Sequence, residues 1–156
     1  MSEQGNYVKL ESEYLDNELI NTCQKTLEST LSTSIEALGM DEPSSFSTCA
    51  SVEYSGDFSG SLYISLDRKC AHDIAQILWG KEIPTVDTRI TESVKELSNI
   101  IGGNIASLLE KQNLNISLDH SWKLSNFDKD KITAKLIKCY KYKLNGEIIQ
   151  IAFLVK

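Results

Sequence analysis

The chain has 156 residues, 41% hydrophobic and 24% charged, and a formal net charge of −6. That length and apolar content are enough for one domain with a buried core, while no stretch is apolar for the roughly 20 residues needed to span a bilayer. The acidic balance lacks a basic patch and argues against nucleic acid as a partner; Lys141-Tyr142-Lys143 is too short to change that.

Residues 1–12 read as a flexible polar lead-in without the apolar segment of a signal peptide, and 13–156 as a single domain. From Leu15 a helical period places Leu15, Leu19, Cys23, Leu27, Leu31 and Ile35 on one face, with Gly39 as its stop. Asp41 to Ser45 is a turn holding Pro43. The period then changes to two: Phe46 to Tyr54 and Phe58 to Ser65 alternate about the Ser55-Gly56-Asp57 turn, predicting two half-buried strands. Asp67 can cap a helix that buries Cys70, Ala71, Ile74, Ala75 and Leu78 and ends at Gly80. Past Pro84, either Asp87 or Thr91 can cap a long helix running to Lys111.

Leu114, Ile116 and Leu118 alternate as a further strand. Ile132–Leu144 and Glu147–Val155 flank Asn145-Gly146, a strong hairpin signal. The last strand is apolar on both faces, so it should be central or continued by a partner. The fold class expected is α+β, with helices packed on a mainly antiparallel sheet. Cys23, Cys49, Cys70 and Cys139 are dispersed in apolar patterns and never form C-x-x-C; buried reduced thiols in a cytoplasmic protein are expected.

Most catalytic chemistry leaves no trace. His72 and His120 are the only histidines, each expected at the surface or in a turn, and no Cys/His/Asp cluster has metal-ligand spacing. There is no G-x-S-x-G and no phosphate-binding glycine loop. The long helix is different. Val94, Leu97, Ile101, Ile105 and Leu108 form its apolar stripe, and the opposite face carries Glu92, Glu96, Asn99, Gly103 and Ala106. Gly102 and Gly103 stand in mid-helix, each costing about 1 kcal/mol against Ala, which predicts close approach of something to the backbone. Glu-x-x-Asn occurs four times, at Glu3/Asn6, Glu18/Asn21, Glu96/Asn99 and Glu110/Asn113. Only Glu96/Asn99 combines an outward face, an apolar opposite face and a bare glycine one turn on.

Here the sequence resembles the CheC/CheX/FliY group of chemotaxis response-regulator phosphatases, and most of all its CheX branch. GDFSGSLYISLDRKCAHDIAQILWG is similar to the family's strand-then-helix segment, and TESVKELSNIIGGNI to its signature helix. The resemblance implies that Glu96 is the catalytic acid and Asn99 the catalytic amide, with Gly103 and Asn104 matching the family's Gly-Asn. Glu92 stands where the family favours Asp or Ser, and the family's Pro after the following strand is absent around Asp119. The implied substrate is a phosphorylated CheY-like response regulator carrying its own Mg²⁺ and Lys. Asn99 would orient the attacking water, and Glu96 would pair with that Lys. Glu92, Gly103 and Ala106 would contact the partner. No cofactor of the chain's own, no metal and no membrane are implied, and a homodimer is expected. A non-catalytic regulator-binding module and a dimerising module are the alternatives, separated from a phosphatase by the phosphoaspartate half-life.

Overall fold

The computed structural model describes residues 10–156, and for 120–125 the backbone alone. Positions 1–9 of the expected lead-in and the His120 side chain lie outside the described residues. Leu10, inside that expected lead-in, is already buried in the core.

Helix α1 (Glu13–Leu31) starts at Ser12, whose side chain accepts from the Leu15 N–H. It ends earlier than the four-residue rhythm of leucines suggests. Ser32 adopts a left-handed conformation (φ 51°), and its N–H returns to the Glu28 carbonyl. The Glu28 carboxylate then accepts from the Ile35 N–H, and Gln24 donates to the Ile35 carbonyl. Ile35 therefore stays buried outside any helix. Gly39 is no helix stop but sits in strand β1 (Glu36–Met40), at a bulge against the strand Leu136–Leu144 and with φ 89°.

Strands β2 (Phe46–Gly56) and β3 (Gly60–Leu66) form the expected antiparallel pair. Helices α2 (Arg68–Trp79) and α3 (Thr88–Lys111) follow. Strand β4 runs Ile116–Phe127, starting later and reaching further than the alternation at 114–119 indicated. A 3₁₀ turn, Lys129–Lys131, leads to β5 (Leu136–Leu144), which starts four residues later than expected, and β6 (Glu147–Val155). Asn145 and Gly146 both have positive φ, as a two-residue hairpin turn requires.

Among the described residues six strands pair antiparallel in the order β1-β5-β6-β3-β2-β4. Among the described residues three helices cover one face, where the main core joins Leu19, Leu27, Ile74, Leu97 and Ile101 to Leu62, Tyr142, Ile151 and Phe153. On the other face Cys49, Phe127, Ala152 and Leu154 form a smaller cluster under Ile132 and Ala134. Strand β6 is apolar on both sides because it is central with both faces covered. It is no edge at which a partner could extend the sheet.

Candidate functional site

Helix α3 is fixed first at its start. Asp87 is its N-cap: its carboxylate accepts from the Arg89 backbone N–H at 2.9 Å and from the Arg89 guanidinium at 2.8 and 2.9 Å. These hydrogen bonds hold the Asp87 carboxyl down at about 2. Of the two candidate caps, Asp87 takes the role, and Thr91 bonds back to the Thr88 carbonyl within the first turn.

The two glycines face different surroundings. At Gly102 the helix lies hard against the sheet, where a Cβ would stand 3.0 Å from Val52 Cγ2 and 3.4 Å from Leu118 Cδ2. The Tyr54 hydroxyl uses this approach to donate to the Gly102 carbonyl at 2.9 Å. At Gly103 a Cβ would meet no described atom within 4 Å. Gly102 thus serves the chain's own packing, and Gly103 leaves the outer face bare.

On that outer face Glu92 and Glu96 are exposed, while Asn99, Gly103 and Ala106 are half-buried. Ala106 also packs against the core. The Asn99 Oδ1 is buried and has no hydrogen-bond partner among the described residues. Leaving a buried acceptor unpaired costs about 1–3 kcal/mol. Asn104, next to Gly103, is tied down instead: it donates to Thr26 Oγ1, which donates to the Thr22 carbonyl, so it joins α3 to α1.

Beside the two carboxylates lies a hollow lined by Leu78, Trp79, Glu92, Ser93, Glu96 and Ile100. Trp79 stands outside the residues singled out by spacing or motif. Its signal was a large aromatic just before the helix-ending Gly80. The Arg89 guanidinium stands 5.6 Å from the Trp79 ring centroid, so the Asp87–Arg89 pair that caps α3 also holds the indole.

Other sequence candidates have structural duties. His72 is half-buried rather than superficial, with Nε2 2.5 Å from the Ile83 carbonyl oxygen. All four cysteines are buried and free. Burial pushes the thiols of Cys23 and Cys70 up to about 12 and those of Cys49 and Cys139 to about 11. Among the described residues no three His, Cys, Asp or Glu side chains gather as metal ligands, and no helix is long and apolar enough to cross a membrane.

The fold is similar to that of a CheC-like superfamily protein from Shewanella, which superposes with a TM-score of 0.75 at 14% identity, over 90% of this chain and 96% of that one. The family model described as chemotaxis phosphatase CheX matches residues 48–140, and the chain belongs to this family of response-regulator phosphatases. A CheX from Desulfovibrio desulfuricans aligns with a TM-score of 0.78 and 13% identity, covering 92% of this chain and 99% of that one. The CheX of a CheX–CheY–BeF3–Mg²⁺ complex from Borrelia burgdorferi aligns at 0.77 and 21%, covering 90% and 96%. A search of curated proteins by sequence finds no match.

Proposed function

We propose that the outer face of α3 is inserted into the active site of a phosphorylated CheY-like response regulator, where it accelerates hydrolysis of the aspartyl phosphate. The observation that supports this reading is the Asn99 Oδ1, buried and unpaired among the described residues. Turning the amide to offer an acceptor or a donor therefore breaks no hydrogen bond to a described residue at that oxygen, and the group brings no charge that a phosphoryl group would repel. It can orient a water in line with the scissile P–O bond. Attack forms the new P–O bond, the bond to the regulator's aspartate breaks, and inorganic phosphate leaves. Such catalysis is largely positioning and needs little more from the phosphatase.

Glu96 lies one turn before Asn99 on the same face. Its exposed carboxylate suits an ion pair with the regulator's Lys, which would set the register of the helix. Glu92 lies a further turn back, and the open space at Gly103, with Ala106 beyond it, lets the partner's surface come close. On this reading the Mg²⁺ is the regulator's, in keeping with the BeF3 and Mg²⁺ named in the Borrelia CheX–CheY complex. On the same reading residues 13–156 work as one domain, in the cytoplasm, with Leu10 packed into the same core. A homodimer is part of the same proposal, and the exposed Leu38 and Met40 on edge strand β1 are apolar surface that such an assembly could cover.

The test is the decay of a phosphorylated response regulator with and without the protein. Faster decay with the unaltered chain, and decay at the spontaneous rate with Asn99→Ala, is expected. An Asn99→Ala protein that still speeds phosphate loss overturns the assignment.

A further inference from the structure

The hollow beside Glu92 and Glu96 has no place in the hydrolytic step, yet it is built with care. Trp79 is 49% exposed at the end of α2, where a bulky aromatic would ordinarily gain by turning inward. It is kept in place by the Arg89 guanidinium on its face, and Arg89 is kept in place by two hydrogen bonds to Asp87. Leu78 and Ile100 floor the hollow, and Glu92 and Glu96 rim it. An indole that already rests against Arg89 has less side-chain entropy to lose on binding than one free in solvent, and large rigid Trp side chains are effective at interface centres.

The charges on the rim point to what lies there. Glu92 and Glu96 are four residues apart on one helix face, both exposed, and like charges at that spacing repel. A cation placed between or beside them relieves that repulsion. We infer that the Trp79 hollow is the specificity shoulder of the site: it receives a segment of the response regulator that presents an apolar side chain next to a Lys or Arg, the apolar group lying on Trp79, Leu78 and Ile100 and the cation meeting Glu92. This rests on the proposed function, since the shoulder is continuous with the face that carries Glu96 and Asn99. Trp79 is then a binding and selecting residue that does not touch the reacting atoms.

The consequence is a split in the kinetics. Trp79→Ala should raise KM for the phosphorylated regulator roughly tenfold, the scale of an interface anchor, with kcat retained, and Trp79→Phe should recover most of the loss. A folded Trp79→Ala protein with KM within twofold of the unaltered chain, or with the loss confined to kcat, overturns the inference. Should Trp79→Ala fail to fold, the unaltered protein supplies the answer. Hydroxyl-radical oxidation of Trp79, read by mass spectrometry, should fall several-fold when a beryllofluoride-activated regulator is added, and unchanged oxidation overturns the inference. The two proposals fail separately. If the shoulder is wrong, the unaltered chain still speeds phosphate loss and Asn99→Ala still abolishes it; if the phosphatase reading is wrong, Asn99→Ala has no effect.

Discussion

The Tyr54 hydroxyl donates to the Gly102 carbonyl at 2.9 Å, in the middle of the longest helix and one residue before a bare position. This bond is possible only because Gly102 lets α3 settle onto β2 and β4. Val52, fully buried, cannot retreat from a new methyl group that would stand 3.0 Å away. Gly102→Ala therefore gains about 1 kcal/mol of helix propensity and loses about 1–3 kcal/mol to overpacking. A lower thermal midpoint is expected for it in calorimetry. At Gly103 there is nothing to clash with, so Gly103→Ala should stabilise the protein by up to about 1 kcal/mol. If the partner lies against that spot, the same substitution should weaken binding of an activated regulator severalfold. Higher stability with unchanged binding would remove Gly103 from the interface.

Asn99→Ala separates stability from activity in a similar way. The substitution removes a buried acceptor that the folded protein leaves unpaired, and it places a better helix former in α3. The expected result is equal or greater stability, by roughly 0.5–2 kcal/mol in urea denaturation, together with loss of accelerated dephosphorylation. A clear drop in stability would mean that Asn99 is held by the fold and is not held in reserve for a partner.

Glu96 should act through association. Glu96→Ala is expected to weaken binding of a beryllofluoride-activated regulator, and Glu96→Lys to weaken it further by placing like charge against the regulator's Lys. Because Glu96 is exposed in the free protein, salt screens the attraction that draws it to the regulator's Lys, and the difference between unaltered and Glu96→Ala protein should shrink as ionic strength rises. Titration at low and high salt measures this. Equal affinities for the unaltered and Glu96→Ala proteins at low salt would rule out the ion pair.

Much of this architecture is legible in the residues themselves. Period-two alternation marks β2 and β3, Asn145-Gly146 marks the β5–β6 hairpin, and the stripe from Val94 to Leu108 marks α3. Two kinds of feature were not legible. Strand β1 was hidden because Ile35 continues the rhythm of Leu19, Cys23, Leu27 and Leu31, although Ser32 has already turned left-handed and Glu28 has closed the helix end. Period reports which residues are buried, and Ile35 is buried by a different element. Likewise Ile132 is apolar because it roofs the second cluster over Cys49 and Leu154, four residues before β5 begins. At the site, the outward face of α3 was readable from spacing. The opposite duties of Gly102 and Gly103 were not, because they depend on Val52 and Tyr54, some fifty residues earlier in the chain. Nor could spacing reveal that Arg89, pinned by the N-cap Asp87, would reach the face of Trp79.

The buried thiols give a last prediction, on alkaline stability. Cys23, Cys49, Cys70 and Cys139 all lie out of reach of solvent, and desolvation raises each thiol from an ordinary value of 9.0 to about 11 or 12. The thiolate is the reactive form, so at pH 8 the folded protein should react with an alkylating reagent far more slowly than the denatured chain, in which all four should label together. The sign of the pH effect follows from linkage. A folded-state value above the unfolded one favours the protonated, folded form; that contribution is complete below about pH 9 and is lost as the pH rises toward 11 and 12, because the unfolded chain releases its protons first. Stability by urea denaturation should fall over that window. Cys23→Ala should flatten part of the fall while lowering stability at neutral pH, since it empties space in the core beneath Tyr142. Rapid labelling of a thiol in the folded protein at pH 8, or an alkaline limb identical in the Cys23→Ala protein, would refute the assignment.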